Sequence, residues 1–441
     1  MADVKGDLAG TCLTGTPNEK LSERINNLNL QDQFEYKNFP VVFWDMYGKS
    51  GHPIRTTVES VGPIILSKML GLTEAQSGVL SIAFKIAKDA ELELVDLKDL
   101  RLLLQHLGDN RKEFTLEYGN ISIQSIGGIQ RNILILQEQG GDFFFGEPSI
   151  DINDFIKFSS ETGYGNINIL HAVELFKQPN LYSCFMLWLL TALSYNMPEV
   201  GDLEKPKFVF FVDEAHLLFD DMPKYMLTQI TQIVKLIRSK GIGLYFISQT
   251  PTDIPDEISA QLGNRIQHSL RAYTPADQKI IKAVASSFRT NPLLNTEETI
   301  TSLGTGEALI SLINESGEPS IVEKAFILPP QSSMGAIDDY TRQNIINNSR
   351  FKGKYDELID RESAFEIISR QIAEEKALEE QNQQQMQNKQ NSNNKSNNSS
   401  GRGPGRPQKS AAEKVFNQAK NSVINSFGRK LGNEIFKKLF K

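Results

Sequence analysis

The sequence is poor in cysteine and histidine, the side chains that bind most zinc ions, and cysteine is also the side chain that forms disulfide bonds. Of its 441 residues only two are cysteines, Cys12 and Cys184, and five are scattered histidines. Neither set has the spacing of zinc ligands, and two distant cysteines do not make a disulfide framework. The composition therefore argues against a metal centre of this kind and is typical of a reducing cytoplasm.

Long apolar runs are also missing. The start, MADVKGDLAG, lacks the basic segment and apolar stretch of a secretion signal. The longest apolar run, around Cys184–Leu190, is far shorter than the roughly 20 residues that span a bilayer. It predicts a buried core helix, and we expect a cytoplasmic protein without stable membrane insertion.

A third absence bears on function. The phosphate-binding loop G-x-x-x-x-G-K-[ST] does not occur. Gly48-Lys49-Ser50 is the nearest match, but Phe43 stands where the first glycine belongs and Gly51-His52-Pro53 interrupts the helix that should follow. The sequence thus offers neither the backbone amides nor the lysine that hold nucleotide phosphates in such loops.

Charge is present but unevenly placed. The net charge is −7, yet residues 401–441 carry ten Lys/Arg and two Glu, or +8, which leaves −15 for residues 1–400. A basic end on an acidic body predicts a separate interaction element. Gly401–Pro407, GRGPGRP, resembles an AT-hook, in which an arginine-bearing segment enters a minor groove, although a plain linker is the simpler interpretation.

Strand-type and helix-type segments alternate along much of the chain, which predicts an α/β fold with a mostly parallel sheet. Phe208–Val212 is a continuous apolar run typical of a strand buried on both faces. We divide the chain into a first part of the core (1–61), a helical insertion (62–160), a second part of the core (161–330), C-terminal helices (331–380), a Gln/Asn-rich linker (381–410) and a basic amphipathic helix (411–441).

The strongest chemical signal is the strand Phe208–Val212 followed at once by Asp213 and Glu214. This is the Walker B arrangement, in which one carboxylate joins a Mg²⁺ shell and the next polarises the water that attacks a γ-phosphate. We predict that Asp213 helps to bind Mg²⁺ and that Glu214 polarises the attacking water. The alternative is an acidic strand end that caps the next helix.

Polar residues near the next strand fit the same site. Gln249 follows the predicted strand Leu244–Ser248 and suits a γ-phosphate sensor, or else starts a turn with Thr250-Pro251. Arg238 and Lys240 precede Gly241, where basic residues complement a helix dipole. Arg238 is alternatively an arginine finger that reaches a neighbouring subunit's nucleotide, and Arg265 and Arg271 compete for that role.

Several segments together resemble the bacterial HerA-like ATPases of the HerA/FtsK superfamily, over residues 1 to about 330. They include MADVKGDLAG, FWDMYGKSGHPIRTTV, KFVFFVDEAHLLFDD and LIRSKGIGLYFISQTPTDIPDEISAQLGNRIQHSLRAYTPADQK. The resemblance implies a RecA-like P-loop core with a helical insertion, ATP and Mg²⁺ as cofactors, and a homo-oligomeric ring, often a hexamer, that works on DNA. It also matches Arg238 to a trans-acting arginine and Asp3 to an acidic position that lines the site.

The sequence departs from that family pattern at the Walker A segment, which would precede the strand at Met1. We expect a truncated or misplaced gene start, with a split gene and a true loss of ATP binding as the alternatives. The function predicted is thus a helicase- or translocase-like ATPase. The alternatives are a non-catalytic remnant or assembly subunit that binds DNA or protein through its basic end, and a protein that binds a membrane surface through that end.

Overall fold

Residues 1–159, 161–201, 203–220 and 222–396 are described by the structure, a computed structural model. By their contacts they form two compact units. The first combines Met1–Arg55 with Pro148–Leu358, and the second combines Thr56–Glu147 with the described residues from 359 to 396. The segment predicted as a basic amphipathic helix, 411–441, and the AT-hook-like segment lie outside the described residues.

The first unit contains a four-stranded parallel sheet. Its strands, in spatial order, are β1 (Ala2–Asp3), β4 (Ile167–His171), β2 (Val41–Asp45) and β3 (His52–Pro53). Phe43 of β2 pairs with Ile169 of β4, and both pack with Ala9, Cys12 and Ile346 in one buried cluster. Three segments that are far apart in the sequence, beginning at Ala2, Val41 and Ile167, are therefore neighbours in one sheet.

Two further sheets complete the strands of this unit. β5 (Phe208–Val212) and β6 (Ile242–Phe246) form a parallel pair. β7 (Arg265–Gln267), β8 (Glu307–Ser311) and β9 (Glu323–Phe326) form an antiparallel sheet. β8 and β9, adjacent in sequence, form an antiparallel hairpin. The predicted α/β class with parallel sheets is confirmed.

The helices of the first unit follow or connect these strands. They are α1 (Glu19–Asn27), α8 (Pro179–Asn196), α9 (His216–Phe219), α10 (Lys224–Leu236), α11 (Asp256–Ser259), α12 (Pro275–Ser286), α13 (Thr296–Ser302) and α14 (Asp339–Asn347).

Helix α8 carries the longest apolar run of the sequence. Pro179 stands at its first turn, where a missing amide hydrogen has no consequence. Every residue from Leu181 to Leu190 is buried, and a helix that is apolar on all sides belongs in a protein core or a membrane. The core-helix prediction is confirmed by this burial. None of the helices in the described part of the chain has the length and apolarity that a membrane span needs.

The second unit is helical. Its members are α2 (Val58–Met69), α3 (Glu74–Asp89), α4 (Leu97–Asp109), α5 (Arg111–Tyr118), α6 (Ile123–Glu138), α7 (Gly141–Phe144) and α15 (Ala364–Ser396). Helix α2 is interrupted at Gly62, which has a φ of 73° ahead of Pro63. Helix α3 begins with a capping box, because Thr73 and Gln76 each accept from the other's backbone amide.

Helix α15 is held against α4 by a buried acid. Asp99 accepts from Ser363 Oγ at 2.6 Å and from the Phe365 amide at 2.7 Å, while its other oxygen accepts from the Val95 and Asp96 amides. These bonds satisfy a carboxylate that is fully buried. The described residues from 359 to 396 thus group with the helices of Thr56–Glu147, whereas the predicted boundaries gave them as separate segments. Helix α15 extends to Ser396, within the range predicted as a linker.

Candidate functional site

The carboxyl ends of β5 and β6 are fixed in register. Val212 pairs with Phe246, and the Ile247 amide donates to the Val212 carbonyl at 2.9 Å. The Ala215 amide in turn donates to the Ile247 carbonyl at 2.9 Å. These two bonds clip the turn after β5 to the end of β6, so the residues between them are held beside the loop that contains Gln249.

Asp213 and Glu214 lie in this turn. Glu214 has a φ of 48°, in the left-handed region that residues other than glycine seldom adopt. Asp213 Oδ1 accepts from the Glu214 amide at 3.0 Å, and the Tyr182 hydroxyl of α8 donates to the Asp213 carbonyl at 3.0 Å. Both ends of the peptide group that joins the two acids are therefore bonded, which holds the unusual conformation of Glu214.

The carboxylate of Glu214 contacts Gln249. Gln249 Nε2 donates to Glu214 Oε1 at 2.9 Å and lies 3.3 Å from Oε2. Glu214 is only 8% exposed, whereas Gln249 is exposed. The structure thus brings together two of the residues that the sequence predicted as catalytic.

Asp213 lies in a mixed electrostatic environment. The pKa of Asp213 is raised above its ordinary value, mainly because the carboxyl is partly buried. The charges of Glu214 and Asp7 also raise this pKa, whereas the bond from the Glu214 amide and the charge of Lys5 lower it. Lys5 and Asp7 belong to the loop that follows β1. This loop therefore lies close enough to the end of β5 for its charges to act on Asp213.

Asp3, at the end of β1, has a local role in the structure. It is buried, and its two oxygens accept from the amides of Gly6, Asp7 and Leu8 at 2.8, 3.1 and 3.2 Å. These bonds account for a buried carboxylate without a ligand. What the structure supports for Asp3 is the shaping of the loop that carries Lys5.

The three candidate arginines are distributed over different elements. Arg238 is exposed in the 3₁₀ turn Ile237–Lys240 at the end of α10. Arg265 of β7 donates to the Ser287 carbonyl at 3.4 Å, and Arg271 donates to the Thr301 carbonyl at 2.8 Å. Lys240 donates to the Met197 carbonyl at 2.8 Å.

Two residues of the site were not predicted from the sequence. His216 lies two positions after Glu214, with its Nδ1 3.5 Å from Glu214 Oε2, and the string Asp-Glu-Ala-His could have signalled it. Tyr182 has no local signal, because it is one of ten consecutive buried residues of α8, and only the packing of this helix brings it to Asp213.

Comparison with models of known protein families identifies the family of the chain. A family model described as "Helicase HerA-like C-terminal" matches residues 1–441, so the chain belongs to that family. The resemblance stated from the sequence is thereby confirmed. No curated protein matches the chain.

Several solved structures are similar to this chain. The plasmid coupling protein TrwB, in complex with a non-hydrolysable GTP analogue, is 12% identical with a TM-score of 0.40, over 75% of this chain and 87% of that one. TrwB has also been solved with ADP and Mg²⁺. VirB4 of Thermoanaerobacter pseudethanolicus is 15% identical with a TM-score of 0.41, over 74% and 82% of the two chains.

Proposed function

We propose that this chain is a subunit of a HerA-type ATPase that hydrolyses ATP with Mg²⁺ and works on DNA as an oligomeric ring. The observation that carries the proposal is the Glu214 carboxylate at the end of β5, with the Gln249 amide of the neighbouring strand on it at 2.9 Å. The membership of the chain in a helicase family supports work on nucleic acid.

The residues present fit the metal part of this chemistry. Mg²⁺ in NTPases takes one or two carboxylates and completes its shell with water and phosphate oxygens. Asp213 Oδ1 accepts from the Glu214 amide, which leaves Oδ2 for the ion. Within the described part of the chain, no group of three or more His, Cys, Asp or Glu side chains could hold a metal by itself. When bound, Mg²⁺ would neutralise charge on the phosphate oxygens.

Glu214 is the group that would activate water. A carboxylate has about four lone-pair positions, so bonds from Gln249 still leave room for one water molecule. As the water oxygen attacks the γ-phosphorus, Glu214 accepts the water proton, and the bridging oxygen departs with ADP. Gln249 would orient the carboxylate in this step and respond to the γ-phosphate.

The proposal is tested with the purified 441-residue chain. ATP hydrolysis with Mg²⁺ is measured for the wild type, for Glu214→Gln and for Glu204→Gln, an exposed glutamate outside the site. Because Glu214 would act as a general base, we expect Glu214→Gln to lower kcat by about 10²–10⁴-fold and Glu204→Gln to leave it unchanged. Equal turnover in all three proteins would overturn the role of Glu214.

A second candidate function follows from the missing G-x-x-x-x-G-K-[ST] sequence. Without that loop the chain would be a non-catalytic subunit that binds DNA or protein. If the chain has this second function, we expect it neither to hydrolyse ATP nor to bind a fluorescent ATP analogue. We also expect it to retain double-stranded DNA in a mobility-shift assay. Hydrolysis that depends on Glu214 would exclude it.

Oligomerisation and DNA are tested separately. Light scattering of the chain with and without ATP gives the mass of the assembly, and a ring predicts a defined multiple of 49.5 kDa. Hydrolysis that rises on addition of DNA supports the DNA assignment. A monomer under all conditions, with hydrolysis insensitive to DNA, would overturn the ring-translocase part of the proposal.

A further inference from the structure

A second side chain approaches the Glu214 carboxylate. His216 Nδ1 lies 3.5 Å from Glu214 Oε2. The shorter bond from Gln249, at 2.9 Å, goes to the other oxygen, Oε1. This separation exceeds a normal N–H···O bond, which is about 2.7–3.2 Å. His216 Nδ1 is itself buried and has no hydrogen-bond partner.

An unpaired buried nitrogen is unfavourable, since a polar group removed from water without a partner costs about 1–3 kcal/mol. Glu214 Oε2 is the charged acceptor that lies near it, so a shift of a few tenths of an ångström would convert the contact into a bond. The proton on an imidazole follows the bond that the ring makes. A proton on Nδ1 would be stabilised here by the adjacent carboxylate.

The backbone keeps His216 in this place. The Leu217 amide donates to the Glu214 carbonyl at 3.0 Å, and the Asp220 amide donates to the His216 carbonyl at 3.0 Å. His216 is the first residue of α9, and its side chain is one-third exposed, at 34%. The turn that gives Glu214 its positive φ therefore also presents the ring of His216 to the same carboxylate.

We propose that His216 is a positioning residue for Glu214, whose Nδ1–H donates to Oε2 and fixes the carboxylate from a second direction. Gln249 holds Oε1, His216 holds Oε2, and the remaining lone pairs face the water. The inference rests on the proposed function for its consequence in hydrolysis, but the contact itself exists without nucleotide.

The first test needs no nucleotide. The chain has only five histidines, so nitrogen-15-labelled histidine gives few signals, and the His216 signal is identified by its loss in His216→Asn. Long-range proton–nitrogen correlations at about pH 8, where free imidazole is neutral, report which ring nitrogen carries the proton. We expect the Nδ1–H tautomer in the wild type and the Nε2–H tautomer in Glu214→Ala, which has no acceptor.

The second test uses the geometry of amide side chains. Asparagine places its Nδ2 near the position of histidine Nδ1, whereas glutamine reaches toward that of Nε2. We expect His216→Asn to keep kcat within about threefold, and His216→Gln and His216→Ala to lower it about tenfold with KM unchanged, because the effect is on the base and not on nucleotide binding.

The outcomes separate the inference from the proposed function. An Nε2–H tautomer that does not respond to Glu214→Ala overturns the contact, whatever the hydrolysis assay gives. If the wild-type chain hydrolyses no ATP but the tautomer switches with Glu214→Ala, the function of the chain is wrong and the His216–Glu214 contact stands. Equal kcat for His216→Asn, His216→Gln and His216→Ala in an active chain overturns the positioning role.

Discussion

Gln249 donates its side-chain amide to Glu214, with 2.9 Å to Oε1 and 3.3 Å to Oε2. The two residues are 35 positions apart in the chain, and the parallel pairing of β5 with β6 brings them together. The contact joins an exposed amide to a carboxylate that is almost fully buried. The contact links the carboxyl ends of β5 and β6. Its contribution to the free energy of unfolding can be measured without a ligand.

Replacement of Gln249 tests this contact. Gln249→Ala removes the donor, and we expect the free energy of unfolding in urea to fall by about 1 kcal/mol, the usual contribution of one such bond. Gln249→Glu sets a second negative charge against Glu214 and should lower it further. The control is Gln261→Ala, also exposed, for which we expect a change within about 0.5 kcal/mol. If all three substitutions changed the free energy of unfolding by less than about 0.5 kcal/mol, the hydrogen bond between Gln249 and Glu214 would be contradicted.

Tyr182 provides a second measurable contact at the site. Its hydroxyl donates to the Asp213 carbonyl at 3.0 Å, and burial raises the pKa of the phenol, so it stays protonated and able to donate. Tyr182→Phe keeps the ring but leaves the carbonyl without this donor, and we expect a loss of about 1 kcal/mol in unfolding free energy.

The matched control for Tyr182 lies on the same helix. Tyr195 of α8 is 80% exposed, so Tyr195→Phe should leave stability and hydrolysis unchanged. If Tyr182→Phe behaved like Tyr195→Phe in urea unfolding, the hydroxyl would not hold the turn at Asp213.

The sequence predicted much of this site because its residues follow strands. An apolar run that ends in two acids predicts a Walker B strand, with an acidic strand end that caps the next helix as the alternative, and parallel strands place their carboxyl ends at one edge. Gln249 was found in the same way. The positive φ of Glu214 was not predictable, since no glycine or asparagine marks it. Tyr182 was not predictable either, because its contact depends on how α8 packs.

The domain organisation was harder to predict than the strands. The helices of the insertion carry local signals, such as Thr73 followed three residues later by Gln76, the spacing of a capping box. The association of α15 with α4 depends on Asp99, which lies more than 260 residues from Ser363. A long-range bond to one buried acid leaves no periodic pattern in either segment, so no local signal indicates that α15 packs on α4.

Glu91 offers a stability prediction in the helical unit. It follows α3 with a φ of 55°, the Leu92 amide donates to the Ala87 carbonyl, and the Glu91 amide donates to the Lys88 carbonyl. This is a Schellman motif with glutamate at the position that favours glycine. Glu91→Gly should raise the unfolding free energy by about 1 kcal/mol, because glycine adopts this conformation without strain.

The control for Glu91 is Lys88→Gly, in the last turn of the same helix and exposed. Glycine inside a helix destabilises by about 1 kcal/mol, so the two substitutions should shift the urea midpoint in opposite directions. Shifts of the same sign would show that the backbone of Glu91 is not strained.

His52 makes stability depend on pH. It is 1% exposed, neither ring nitrogen has a hydrogen-bond partner, and its Nδ1 is 3.7 Å from Asp356, too far for a bond. Burial lowers its pKa below the ordinary value of 6.5, and Asp356 offsets only part of this. The unfolded chain therefore takes up a proton near pH 6.5 that the folded chain does not.

The sign of the effect follows from this difference. Above about pH 7, His52 does not reduce the free energy of unfolding. As the pH falls through 6.5 toward the lower pKa of His52 in the folded chain, the free energy of unfolding declines, because the unfolded chain binds the proton more readily. Urea unfolding at pH 7.5 and 5.5 measures it. His52→Gln should reduce the difference between the two values, whereas His268→Gln, at an exposed histidine, should preserve it. If His52→Gln left the full difference, the decline would come from other groups, such as His106 and His171, whose pKa values burial also lowers.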